Sequence, residues 1–220
     1  GIFKYGSFIL SNIKFFTGFP AKVHSIMLPI GISFYTFQLI TYCVDVYRGD
    51  ARPQRSFKTL LLYVSLFHQC IAGPIVRYKD ICAELEERRA SQFDIAEGIN
   101  RFTVGLAKKA IIANTCAALA DTLLVPDGGD FSLLASKSVL SLWVGVLAFT
   151  LQIYIDFSAY SDMAIGMGKM IGIHYTENFD YPYISTSVSE FWRRWHITLG
   201  SFFRDYLYIP LGGSRCGKVR

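Results

Sequence analysis

Apolar residues in this chain come in long unbroken blocks, not in the alternating pattern of a half-buried strand. Ser25 to Val44, Thr59 to Val76 and Ser138 to Ile155 each run for about 18 residues or more without a formal charge, the length that crosses a hydrocarbon core of roughly 30 Å. One such block could be a helix buried in a large soluble protein. Three together point to an all-α, polytopic integral membrane protein. The approximate spans are 25–47, 59–76, 102–125, 138–155 and 157–173.

The blocks differ in character. The first holds Pro29, Gly31 and Ser33, then Phe34, Tyr35, Phe37 and Tyr42, and meets its first acid at Asp45, as suits a helix end near headgroups. Arg48 to Lys58 carries four bases against one acid and reads as a cytoplasmic loop by the positive-inside tendency. The second block closes on Gly73-Pro74, which interrupts or ends a helix. From Arg77 to Arg101 the charges nearly balance, which fits a connecting or interfacial helix better than a span. In 102–125, Lys108 and Lys109 divide an apolar stretch, so the segment is either a tilted membrane helix with snorkelling lysines or a helix packed inside the protein. Pro126 to Asp130 reads as a turn, as do Gly212-Gly213 after Pro210.

The run from Phe157 to Ile173 contains Ser158, Ser161, Asp162, Gly166, Gly168 and Gly172. Small and polar residues at that density imply close packing in a bundle, or a broken helix lining a cavity. Asp156 and Asp162 are therefore expected in the interior, either at a site or paired with an arginine or backbone N–H groups, which for Asp162 means Arg193, Arg194 or exposed backbone.

The densest chemistry lies in Tyr181 to Gly200. Ser187 followed by Glu190 fits a capping box, so a helix is expected from about residue 188, with Trp192, His196, Leu199 and Phe203 on one face and Arg193 and Arg194 turned elsewhere. A histidine held between aromatic walls would stay neutral and could take a proton from an attacking hydroxyl. It could equally be a packed hydrogen-bonding residue. His24, His68 and His174 read as structural, and no metal-ligand spacing such as HExxH links the four histidines.

Composition adds to this picture. The chain is 52% hydrophobic and 15% aromatic but only 18% charged, below the usual quarter for soluble domains. A net charge of +5 with no zinc-finger spacing or basic patch excludes a nucleic-acid partner and suits contact with anionic lipid. The five cysteines show no CxxC spacing, and Cys43, Cys70 and Cys116, in apolar runs, read as small hydrophobes in preference to modified or catalytic residues. Gly1 is not an initiator methionine and the end is polar, so both ends are expected to be cuts within a longer protein.

Several stretches together resemble the membrane-bound O-acyltransferase (MBOAT) superfamily, and within it the bacterial branch that acetylates alginate and other exopolysaccharides. They are Leu28 to Gln38, Tyr42 to Gly49, Ile71 to Arg77, Asp156 to Gly166 and Phe179 to Gly213. The resemblance implies that residues 1–220 are part of one helical bundle around a central cavity in the bacterial inner membrane. It implies acetyl transfer to hydroxyls of an exported polysaccharide such as alginate. The donor would be acetyl-coenzyme A or an acyl carrier, with no bound cofactor and no metal. Partners would be proteins of the export pathway, including an extracytoplasmic acetyltransferase.

By the same resemblance His196 is the catalytic residue, and Trp192, Arg193, Arg194, Trp195, Asp205 and Tyr206 line or support the site, beside Asp156 and Asp162. The family pairs this histidine with a second one in a Trp-His-Gly-like motif that does not occur before Arg220, so residues 1–220 alone are expected to be inactive. Two other readings remain: D-alanyl transfer to teichoic acid in a related branch, and a transporter or channel lined by the aspartates and arginines.

Overall fold

The computed structural model describes residues 2–18, 31–69, 73–125 and 131–215; these fold as helices, turns and loops, with no strand among them. Helix α1 is Ile2–Thr17 and α2 is Ile32–Arg48. Gly49, at φ +79°, stops α2 by turning its N–H back to the carbonyls of Asp45 and Val46, a left-handed cap that glycine adopts without strain. Helix α3, Phe57–Ser65, starts on Ser56, whose hydroxyl accepts from the Thr59 N–H at 3.3 Å. A short 3-10 turn, Phe67–Gln69, and helix α4, Tyr78–Glu86, follow.

A capping box between Ser91 and Asp94 opens α5, Gln92–Ala107, which passes through a π-helical stretch, Lys108–Ala113, into α6, Asn114–Leu124. Together α5 and α6 form one 33-residue rod, Gln92–Leu124. Helix α7, Val139–Met170, runs for 32 residues from a Ser138 cap. At 1.5 Å per residue each rod is close to 50 Å long, and both are long and apolar enough to cross a membrane. On α7, Leu140, Trp143 and Leu147 share an outward face and are 75%, 62% and 59% exposed, as side chains facing lipid would be.

The two rods touch backbone to backbone. A Cβ on Gly98 would lie 2.7 Å from the Gly166 carbonyl oxygen, and one on Gly166 would lie 2.6 Å from the Gly98 carbonyl oxygen and 2.7 Å from the Phe102 nitrogen. Seven residues along, a Cβ on Gly105 would lie 2.8 Å from the Ala159 oxygen. Small residues at such a crossing let dispersion contacts and polar pairs form between helices that have no hydrophobic drive to associate in lipid. A separate core gathers α3, α4 and the end of α7 around Tyr63, Tyr78, Ile81, Ile165 and Ile173. Tyr78 meets Tyr42 and Tyr63 edge-on at 5.0 and 5.4 Å.

Several expected helices differ. Segment 59–76 is not one long helix: α3 is nine residues, about 13 Å, and the chain then turns so that His68 and Gln69 are buried among polar partners. Segments 138–155 and 157–173 are one uninterrupted α7 as far as Met170, because Asp156 and Asp162 are paired and the glycines are used for packing, not for a break. Segment 102–125 is the continuation of a helix that starts at Gln92, inside the stretch read as interfacial. Residues 25–30 and the turn at 126–130 lie outside the described residues.

The glycine contact makes opposite outcomes for two similar substitutions. Gly166→Ala forces its methyl against backbone that cannot swing away, and should lower stability by about 1–3 kcal/mol despite alanine's better helix propensity. Gly200→Ala in helix α9 (Ile197–Phe203), where the new Cβ meets only the Trp192 carbonyl at 3.6 Å, should be neutral or slightly stabilising. Thermal unfolding of the full-length protein in detergent separates them, and equal midpoints would rule out the close crossing.

Candidate active site at His196

Helix α8, Val188–Arg194, begins where the sequence predicts, with the Ser187 hydroxyl accepting from the Glu190 N–H at 3.1 Å. The Glu190 carboxylate reaches one residue further back than a standard capping box, accepting from the Thr186 N–H and hydroxyl at 3.0 and 3.1 Å. The helix does not continue to His196. Trp195 is extended (φ −96°, ψ 124°), His196 is left-handed (φ 47°, ψ 55°), and a second helix, α9, starts after it.

Trp192, His196, Leu199 and Phe203 therefore do not share one helical face, and Trp192 is 61% exposed. A left-handed non-glycine residue costs about 1–2 kcal/mol. Two backbone bonds hold it there: the Asp180 N–H donates to the Arg194 carbonyl and the Ile197 N–H to the Asn178 carbonyl, each at 2.9 Å.

The aromatic walls expected around His196 are present but come from other residues. Phe157 of α7 meets the imidazole edge-on at 4.9 Å, and Phe179 lies nearly parallel at 6.4 Å. Trp195 packs one layer away, against Phe179 at 5.1 Å and Phe191 at 5.5 Å. Burial among these rings lowers the His196 pKa to about 4, so the ring is neutral at physiological pH. Its Nδ1 lies 2.9 Å from Oδ1 of Asn178, a fully buried amide, while Nε2 has no hydrogen-bond partner among the described residues.

Asn178 also lines a cavity of about 390 Å³, with Tyr154, Ser161, Asp162, Arg101 and Lys108 among its walls. Asp162 is buried, as expected, but its partners are not Arg193 or Arg194. It accepts from Arg101 Nε at 2.8 Å and Lys108 Nζ at 2.7 Å, because the close crossing sets α5 beside α7. Arg101 also grips Glu177 at 2.7 and 3.0 Å. Asp156 is half-buried and pairs with Lys109. The two lysines thus each pair across the two rods.

Arg194 is committed to Asp180 and Glu190, each at 3.0 Å, and Arg193 is exposed, with a 3.4 Å contact to Ser189 as its one hydrogen bond among the described residues. Asp205 bonds Arg77 at 2.9 Å and Arg204 at 2.7 Å, and these guanidinium groups hold its carboxyl below the usual range. The Tyr206 hydroxyl donates to the fully buried Asp45, with both carboxylate oxygens within 2.8 Å. Arg48 and Arg77 each lie 5.4 Å from the centre of the Tyr206 ring. Asp205 and Tyr206 therefore anchor the motif to α2 and to the chain after Pro74.

A buried histidine, His68, is where sequence analysis puts a packed polar residue. The Tyr175 hydroxyl accepts from Gln69 Nε2 at 3.0 Å and shares a hydrogen bond with His68 Nε2, while Gln69 also binds Gln38. Burial lowers the His68 pKa to about 4. His174 bonds Glu84 at 2.8 Å, and His24 lies outside the described residues. Among the described residues no three of His, Cys, Asp and Glu converge to hold a metal ion.

Helical rods able to span a membrane, joined to a short motif that holds a half-buried, neutral histidine, agree with what sequence comparison finds. The chain belongs to the membrane-bound O-acyltransferase family, whose pattern matches residues 53–220. It is similar to the probable alginate O-acetylase of Pseudomonas aeruginosa, 47% identical over 222 residues that cover 98% of this chain and 41% of that protein. It also resembles the peptidoglycan O-acetyltransferase of Helicobacter pylori, at 36% identity over all of this chain and 45% of that protein. The teichoic acid D-alanyltransferase of Bacillus subtilis is 26% identical over 84% of this chain and 46% of its own length. The chain spans less than half the length of each of these relatives.

Two outcomes test this geometry. Asp162→Ala leaves Arg101 and Lys108 without their shared anion and should reduce the folded yield in detergent, whereas Arg193→Ala should not; equal yields would place Asp162 at the periphery. His68 and His196 both titrate near 4 when folded and near 6.5 when unfolded. The unfolded chain therefore binds more protons between those values, and stability should fall as pH drops from about 6.5 to 4. Melting curves across that range, repeated on His68→Gln, should show a smaller fall in the variant; identical falls would mean that His68 does not contribute.

Proposed function

We propose that the protein is an O-acyltransferase that moves an acetyl group onto hydroxyls of an exported polysaccharide such as alginate, with His196 as general base. The observation behind this reading is a half-buried imidazole kept neutral at physiological pH, with Nδ1 engaged by Asn178 and Nε2 without a hydrogen-bond partner among the described residues. An alcohol is a weak nucleophile at neutral pH. Nε2 would accept its proton as the oxygen attacks the carbonyl carbon of a thioester donor, either acetyl-coenzyme A or an acyl carrier. The tetrahedral adduct would then collapse, releasing the thiolate, which takes the proton back from the imidazolium. No cofactor enters the balance.

Alginate O-acetylases at 45–47% identity support this acceptor over teichoic acid, whose D-alanyltransferases are 26–27% identical. A channel reading is weakened by the pairing of the intramembrane charges with one another. We also place the protein in the bacterial inner membrane with several spans, the loop from Arg48 to Lys58 cytoplasmic, working beside export proteins and an extracytoplasmic acetyltransferase.

In the full-length protein, His196→Gln should keep the fold yet lower acetyl transfer by about 10²- to 10⁴-fold, since glutamine can hydrogen-bond but cannot take the proton. The measurement is the ester content of the secreted polymer by NMR, normalised to folded protein in the membrane. Near-wild-type acetylation would end the proposal.

A further inference from the structure

The geometry points to Asn178 as a positioning residue that holds His196 in its Nδ1–H tautomer, so that Nε2 keeps the lone pair; this rests on the reading of His196 as the base. An asparagine amide has an oxygen and a nitrogen of nearly the same shape, so its neighbours must say which is which. Here they do. The Thr198 backbone N–H, which can only donate, points at Oδ1 from 3.3 Å. The Thr198 hydroxyl lies 2.8 Å from the same atom and itself accepts from the Ile75 N–H at 3.0 Å, so its own proton is free to go to Asn178. Both neighbours require an oxygen there. On the other side Nδ2 donates to the Ser161 hydroxyl of α7 at 3.1 Å.

With an oxygen facing it at 2.9 Å, His196 Nδ1 must carry the proton; the other tautomer would set two lone pairs against each other in a buried place. The second ring nitrogen is then the acceptor, as the partner of one imidazole nitrogen decides the state of the other. A neutral amide also differs from the carboxylate that often orients a histidine. It fixes the tautomer while stabilising the imidazolium much less than a carboxylate would, and burial lowers this ring's pKa. The same residue's carbonyl receives the Ile197 N–H, so Asn178 holds the backbone turn and the ring together. Packing alone would need none of this, since a leucine has the same bulk.

The test uses the full-length protein in three forms: wild type, Asn178→Asp and His196→Gln. Aspartate is nearly isosteric, and Ser161 can turn its hydroxyl to donate to it. The carboxylate should raise the imidazole's basicity, so the acid limb of the kcat/KM profile for acetyl transfer should move up by about 1–3 pH units, whatever the height of its plateau. A limb that stays in place in a folded Asn178→Asp protein overturns the proposal, because a merely structural asparagine predicts no such shift.

Should Asn178→Asp fail to fold, 15N-histidine spectra of the wild type decide instead, with the His196 signals identified by their loss in His196→Gln. Nδ1 protonated and Nε2 bare is the expected pattern, and the reverse overturns the proposal. Retained acetylation by His196→Gln would defeat the base reading itself, and the spectra would still report the tautomer separately.

Discussion

Much of this structure depends on how closely two long rods of helix can approach. Gly98, Gly105, Ala159 and Gly166 strip the crossing of side chains, so that the backbones of α5 and α7 meet directly. Side chains of ordinary size would hold the axes apart by an ångström or more and stretch Arg101 and Lys108 away from Asp162. The same helix α7 then supplies Phe157 as a wall for His196 and Ser161 as the anchor for Asn178. An error in the crossing would thus be transmitted to the imidazole through two residues of one rigid element.

The motif itself is fastened by segments distant in the chain. Thr198 receives the Ile75 N–H, Asp205 binds Arg77, and Tyr206 reaches Asp45 from between two arginines. Buried charge at these points is neutralised locally, which is what makes it tolerable away from water. Helices α8 and α9 have seven residues each and would not be stable alone. Their geometry comes from outside them, and so does the left-handed backbone of His196.

That dependence explains which features the sequence discloses. The start of α8 follows from a local rule, Ser187 capping Glu190, and is read correctly. Its end is not, because Trp195-His196-Ile197 holds no glycine or proline, and the break is imposed by bonds to Asn178 and Asp180 some 14–20 residues earlier. The chemistry expected of His196, a ring walled by aromatics, is right in kind while the walls differ, since Phe157 and Phe179 are neighbours only in the folded chain. Asp162 is read as interior, at a site or paired, but sequence offers no way to choose Arg101 and Lys108 over the conspicuous Arg193 and Arg194. Asn178 sits in a polar run, His174 to Asn178, that no periodicity marks as buried. Even so, the long stretches shared with the family were enough to name it.

The charge pairs between the rods also have an order in time. Lys109 precedes Asp156 by 47 residues and Lys108 precedes Asp162 by 54. At ribosomal speeds of about 5–20 residues per second, the lysines are made roughly 3–10 s before their aspartates. During that interval two ammonium groups sit in an apolar rod with no counter-ion, at a cost of about 2.5–3.5 kcal/mol each if held at the centre of the bilayer. The first rod is therefore better kept near water, or beside the insertion machinery, until the second arrives. Biogenesis of this pair is in that sense a two-helix event, in which the rod carrying the cations becomes a comfortable membrane helix only when the one carrying the anions is laid against it.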